Sequence, residues 1–371
     1  MSDRIYAGTR KGLFRYDRTP QGWQLFGESF LGISVPMLLP DLRDGTLYAA
    51  VEHGHFGIKL HRSSDAGENW EELDPPAYPP KPDDVPDTLC PMSNAVIPWS
   101  LDKIWSLEAG GADQPGLLWC GTLPGGLFRS RDRGKSWQLI RGLWDAPGRA
   151  KWAGGGYDVP GIHSICVHPE NSDDVIVAIS CGGVWRTRDG GETWNQCGHG
   201  MYYDFLPEEQ GGADPDAQDP HRMVRCQVAP DQLWVQHHSS IFKSIDDSDS
   251  WQEVESVAPS SFGFAVVVHP EDPLTAWFAP AKKDEFRYPV DGKFLVNRTR
   301  DGGKTFEACS AGLPVPPAYD LVYRHGLDVD ATGDRLVMGS TTGSLWISED
   351  GADNWQALSG NLAPVYCVRF G

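Results

Sequence analysis

An eight-residue pattern, Ser/Thr-x-Asp-x-Gly-x-x-Trp/Phe, recurs along the 371-residue chain and constrains its fold more than any other feature. Clear copies are SSDAGENW at 63–70, SRDRGKSW at 130–137, TRDGGETW at 187–194 and TRDGGKTF at 299–306. Two more, SIDDSDSW at 244–251 and SEDGADNW at 348–355, keep the Asp and Trp but lose the Gly, and an eroded seventh at 15–24 keeps Asp17 and Trp23. Each part has a local physical task. The carboxylate can accept backbone N–H groups across a tight turn, the glycine supplies a positive φ, and the aromatic ring drops into apolar space between neighbouring sheets.

Short apolar runs flank each copy, such as GGLFRS, GGVWRT or GSLWIS before it and WQLI, WQEV or WQAL after it. A further strand pair precedes them. The stretch 162–197 shows the whole unit: strand A over 162–168, a His-Pro turn, strand B over 175–180, a Gly turn, strand C over 183–188, the Asp turn, and strand D over 193–197. The N-terminus supplies only strands B, C and D (RIYAGT, GLFRYD, GWQLFG), whereas the C-terminus ends on a lone A strand, PVYCVRF at 364–370. Pairing the two ends removes two exposed sheet edges and closes a ring. The expectation is an all-β, seven-bladed β-propeller of four-stranded antiparallel blades, one domain over 1–371, closed by the C-terminal strand pairing with the N-terminal blade.

The turns resemble the Asp-box, or BNR, repeats of sialidases, xyloglucan-active propeller glycosidases, sortilin-type receptors and a photosystem II assembly factor. The whole chain is similar to bacterial BNR-repeat proteins described as sialidase-like or glycosyl hydrolase-like, with which it shares runs such as PGIHSI, QHH and FGF. The Phe/Tyr-Arg-Ile-Pro motif, the three carboxylate-gripping arginines and the Tyr/Glu pair of true sialidases do not match any run here; near the start stands RIYAGTRKG. The resemblance implies that the Asp turns lie on the face away from the ligand, which makes Asp65, Asp132, Asp189, Asp246, Asp301 and Asp350 structural.

Composition narrows the partners. A net charge of −19 opposes approach to nucleic acid or to an anionic membrane surface. The opening MSDRIYAG lacks a basic n-region and apolar h-region, and the expected location is the cytoplasm. Eight cysteines without a CxxC pair read as buried or half-buried thiols.

Spacing between the repeat aromatics is 47, 67, 57, 57, 55 and 49 residues, so some blades carry insertions, at 74–101, 141–161, 197–221 and 280–293. All are D-to-A or B–C connections, which decorate the face opposite the Asp turns, and long loops on a rigid scaffold are where recognition and catalysis gather. Histidines 53, 55, 163, 199, 221, 237 and 238 map to that face or to strands leading from it, whereas His168 and His269 belong to His-Pro turns on the other. Imidazoles from several blades can work as general acid and base near neutral pH, or ligate a divalent metal. The candidate catalytic residues are His163, His221 and His237. Candidate ligand-binding residues are Arg10, Lys11, His53, His55, Trp152, Tyr157, Arg222, Gln236, His238 and Phe262. A metal, if bound, would draw on His55, His163, His221, His237 and His238. Loop carboxylates Asp158, Asp204, Glu208, Glu209, Asp214, Asp216 and Asp219 are available for a glycosidase-type pair. The expected function is a sialidase-like hydrolase or lyase acting on a small glycan or cytoplasmic metabolite in a His-rich central pocket. The alternative is a non-catalytic binding or assembly propeller for a protein partner.

Overall fold

The structure, a computed structural model, describes residues 1–371 apart from Phe205, Leu206, Glu208 and Gln210, so Glu208 lies outside the described residues. Seven four-stranded sheets are present, each an antiparallel meander. Blades 2 to 7 span Ser34–Leu73, Lys103–Leu139, Ile162–Gln196, Pro220–Glu253, Gly263–Cys309 and Leu327–Ser359. Blade 1 is closed as expected: Val365–Phe370 pairs with Arg4–Thr9, which continues into Gly12–Thr19 and Gly22–Ser29. First strands of successive blades touch one another in an unbroken ring, which places them around the axis and the fourth strands outermost.

In the six complete repeats one hydrogen-bond network recurs. At blade 4, Thr187 Oγ1 donates to Asp189 at 2.7 Å and accepts the Gly191 N–H at 2.9 Å, while Asp189 accepts Thr193 N–H at 2.9 Å and its hydroxyl at 2.6 Å. The residue before the aromatic, Asn69, Ser136, Thr193, Ser250, Thr305 or Asn354, is thus a working part of the pattern that the eight-residue motif left unspecified. Positive φ falls on the two residues after the Asp: 70° and 98° at Gly190 and Gly191, and 61° and 72° at Asp247 and Ser248, where the glycines are missing. The aromatics fill the seams between blades. Trp251 of blade 5 packs with Cys166, Ile176 and Ala178 of blade 4, and its indole N–H donates to Cys197 O at 2.7 Å.

The eroded copy behaves differently. Asp17 lies inside a strand, not at a turn, and binds the guanidinium groups of Arg4 (2.8 Å) and Arg15 (2.6 Å). Its chain reverses at Thr19–Gly22, where Thr19 Oγ1 donates to Gly22 O. All eight cysteines are free and buried. No helix of the described residues is long and apolar enough to cross a membrane.

The repeat carboxylates make the fold sensitive to acid. Partial burial disfavours the charge of Asp189, but hydrogen bonds from Thr193 and Thr187 outweigh it and hold the group at about 2. Asp65, bound by Asn69, and Asp301, bound by Thr305, are likewise held down at about 2. A carboxylate with a depressed folded-state pKa stabilises the native state above its unfolded value, 3.8, and loses that contribution as pH falls through the folded value. The urea midpoint should therefore drop between pH about 4 and about 2, and Asp189→Asn should show a shallower drop over that window. Equal slopes for variant and wild type would contradict the assignment.

Candidate functional site

Antiparallel order puts every A–B and C–D turn at one end of the ring, and every B–C turn and D-to-A connection at the other. At this second end the first strands share a defect. Their register with the second strand skips one residue near the start, between Ile104 and Ser106, Ile162 and Ser164, Pro220 and Arg222, and Gly263 and Ala265, and the closing strand skips likewise between Val365 and Cys367. A bulge re-aims the side chain it leaves unpaired. The bulged residues are Trp105, His163, His221, Phe264 and Tyr366, and they meet their neighbours. The Trp105 and His163 rings are 5.3 Å apart, and His221 stacks on Phe264 at 4.5 Å.

Around His221 a compact polar cluster forms. Asp219 precedes it by two residues, and His238 comes from the B–C turn of the same blade. His221 Nε2 and His238 Nδ1 each lie 3.5 Å from Asp219 Oδ2. The other carboxylate oxygen accepts the Cys181 N–H at 3.2 Å, from the B–C turn of blade 4. His221 Nδ1 lies 2.6 Å from the Gly263 carbonyl, so that nitrogen carries a proton and Nε2 faces the cluster. Gly155 of the 141–161 insertion passes so close that a Cβ there would stand 3.0 Å from Asp219 Oδ1 and 2.4 Å from Ser180 Oγ.

The environment pushes the two imidazoles apart. Burial lowers His221, against the pull of Asp219. Burial also acts against the His238 cation, but hydrogen bonding to Asp219 and the nearby Asp284 and Asp204 charges prevail and raise it. Asp219 itself is 3% exposed; burial works against its charge, yet His221, His238 and Arg324 together hold it well below the usual carboxylate range. The same carboxylate thus sits between an imidazole whose proton is held less tightly than usual and one whose proton is held more tightly. His238 is the accessible member of the cluster, with 22% of its side chain exposed.

Of the expected site residues, His221, His238 and Phe262 come together: Phe262 is 5.7 Å from His221 and 5.9 Å from His238, ring to ring. His237 stands behind them, fully buried, its Nε2 accepting the Asp219 N–H at 3.2 Å, and burial holds it neutral with a pKa of about 3. His163 is also fully buried, with Nδ1 2.9 Å from Ser164 Oγ. Tyr157 is 43% exposed and packs edge-on against Trp105 at 5.0 Å. Trp152 and Gln236 do other work: Trp152 fills the blade 4 core against Trp185, and Gln236 donates to His237 O and Ser261 O. Arg222 lies 3.3 Å from His163 O and helps line a cavity of about 800 Å3 at the Asp-turn end with Glu108, Asp328 and Arg369. Arg10, Lys11 and His55 are exposed in B–C turns, and His53 is half-buried against Phe56. His199, expected on the working face, sits beside the blade 5 repeat turn, its carbonyl accepting the Trp251 N–H at 2.9 Å. Asp214 and Asp216 are each 3.0 Å from Lys151.

Sequence reasoning missed Arg324, which precedes the first strand of blade 7 as His221 opens that of blade 5. Its guanidinium lies 4.8 Å over Trp105 and 5.6 Å over Phe264, and its charge favours the Asp219 carboxylate. Asp219, His221 and His238 also form the one group, among the described residues, whose His, Cys or carboxylate donor atoms all fall within 4.8 Å, so a divalent cation could use the same three.

No protein-family model matches the chain. A curated relative, the probable oligoxyloglucan-reducing end-specific xyloglucanase of Neosartorya fischeri, is 26% identical over 287 residues, covering 70% of this chain and 32% of that protein. The chain thus spans about a third of that relative's length. An ancestral GH74 enzyme superposes with a TM-score of 0.59 at 14% identity, over 95% of this chain and 39% of its own. YCF48 bound to a D1 peptide superposes with a TM-score of 0.57 at 15% identity, over 94% and 90%. The chain is a seven-bladed propeller resembling those of GH74 xyloglucanase-like proteins.

Histidine-resolved NMR titration tests the cluster directly. His238 should titrate above 6.5 and His221 below it, and Asp219→Asn should bring His238 down. An unmoved His238 in that variant would show that Asp219 does not hold its proton.

Proposed function

We propose that the chain is a hydrolase or lyase that processes a small glycan or related metabolite at the mouth of the propeller, with His221 as proton acceptor, His238 as proton donor and Asp219 between them. The observation that carries this reading is the pair of imidazoles set on one carboxylate oxygen with their pKa values pushed in opposite directions. Two titratable groups separated in this way are the division of labour that acid–base chemistry requires.

Each group has a definite part. Because the Gly263 carbonyl occupies His221 Nδ1–H, Nε2 is the nitrogen left to accept a proton from substrate or from an attacking water. Asp219 then stabilises the imidazolium so formed. His238, the exposed partner, delivers a proton to the leaving oxygen. His237 holds the Asp219 backbone in place and is a positioning residue. Tyr157, 43% exposed and packed on Trp105, offers an aromatic face of the kind on which a sugar ring stacks. The likeness to a xyloglucanase supports an oligosaccharide as the ligand.

Purified protein incubated with a panel of oligosaccharides, xyloglucan fragments included, should yield shortened products, whose mass separates hydrolysis, which adds water, from elimination, which does not. His221→Gln and His238→Gln should each lower kcat by about 10²- to 10⁴-fold while melting near wild type. The pH profile of kcat/KM should rise as His221 loses its proton below 6.5 and fall as His238 loses its own above 6.5. Chelator-treated protein should keep its turnover; activity lost to chelator and restored by a divalent cation would reassign the three residues as metal ligands. A propeller that instead docks a protein partner would turn over nothing in the panel.

A further inference from the structure

We propose that Arg324 is the anchor for a carboxylate group on the ligand, so that the mouth of the propeller takes an acidic sugar or a similar hydroxy-carboxylate in preference to a neutral glycan. This inference deepens the acid–base reading and rests on the same site.

The other buried arginines of the chain all have an acceptor. Arg186 binds Asp174 at 2.6 Å, Arg298 binds Glu307 at 2.6 Å, and Arg335 binds Asp3 at 2.9 Å. Arg15 binds Asp17 at 2.6 Å, Arg225 binds Asp247, and Arg129 donates to the Gly190 carbonyl. Arg324 is as buried as these, 7% exposed, and among the described residues it has neither an ion pair nor a hydrogen bond. Its buried Nε finds no acceptor. A guanidinium stays charged at any physiological pH and carries five donors in one plane, so burying it without an acceptor is costly. Trp105 and Phe264 supply aromatic surface near the cation, which leaves its N–H donors for an oxyanion.

Position and charge say what that oxyanion belongs to. Arg324 shares Phe264 with His221, which stacks on it at 4.5 Å, so a group held by Arg324 lies beside the proton acceptor. Gly156, from the 141–161 insertion, faces the guanidinium, and a Cβ there would still be 3.8 Å from it. The neighbouring cations are already matched: Arg287 binds Asp284 at 2.5 Å and Lys103 binds Glu52. Among the described residues no carboxylate lies within ion-pair distance of Arg324, and a carboxylate on a ligand offers the planar pair of acceptors that its guanidinium lacks.

Two measurements test the inference, and the first needs no ligand. Arg324→Met should raise the melting temperature of the protein alone, because it removes an uncompensated buried charge, whereas Arg298→Met, which breaks a satisfied pair, should lower it. A fall for Arg324→Met comparable to that of Arg298→Met would overturn the assignment. In the second, calorimetric titration with D-glucuronate, D-glucose and glucose 6-phosphate should show glucuronate binding wild type at least about tenfold more tightly than either of the others, with the preference over glucose lost in Arg324→Gln. Glucose equal to glucuronate, or a preference that survives Arg324→Gln, would refute a carboxylate anchor; tighter glucose 6-phosphate would replace it with a phosphate site. Failure here is separable from failure of the acid–base reading. Turnover of neutral oligosaccharides untouched by Arg324→Gln would leave that reading standing without this one, and a carboxylate preference without turnover would do the reverse.

Discussion

Seven first strands must share one axis, and that convergence shapes everything at the working end of the molecule. In five of them the register skips a residue at the same place. The displaced residues, Trp105, His163, His221, Phe264 and Tyr366, gather around the mouth because the strands that carry them do. A site assembled in this way is held by backbone pairing on rigid elements, which gives catalytic side chains a fixed separation.

The opposite end is built for another purpose. Its ionised aspartates are tied to hydroxyls, amides and backbone N–H groups within the same few residues, so the bonds of each repeat aspartate close within its own turn. Arg186, Arg298 and Arg335 then cross from one blade to the next with their carboxylate partners. Most buried arginines of the scaffold have a carboxylate partner. At the mouth the accounting differs: Asp219 serves two imidazoles, and among the described residues Arg324 has no partner of its own. Natural folds accept such unbalanced groups where ligands are handled, since a group fully satisfied by the protein has nothing left to offer a substrate.

The fold was legible because its signals are local. A turn that needs an acceptor, a positive φ and a seam-filling ring writes all three into eight residues, and a lone strand at the C-terminus demands the partner missing at the N-terminus. Asp17 shows the limit of that reading, since an aspartate at the expected spacing became an ion-pair partner within a strand when its turn moved to Thr19–Gly22. The site was legible in part. His221 and His238 were two of seven histidines placed at that end, and of the two only His221 borders a long insertion. Asp219 was one of several loop carboxylates, and only three-dimensional placement separates it from Asp214 and Asp216, which bind Lys151. Trp152 and Gln236 looked available because sequence shows residue type and not burial. Arg324 carried no local signal: what marks it is the lack of a partner, a property of the whole fold. The recurrence of a polar or aromatic residue at the start of each first strand, as in PGIHSI, DPHRM and YRHGL, is the pattern that could have pointed to it.

The account depends on where the protons sit in the Asp219, His221 and His238 cluster. Neutron diffraction from crystals grown near pH 6.5 would place them directly. The account predicts an imidazolium at His238, a bare carboxylate at Asp219, and a single proton on His221 Nδ1 directed at the Gly263 carbonyl. A neutral His238, a protonated Asp219, or a His221 proton on Nε2 alone would contradict it.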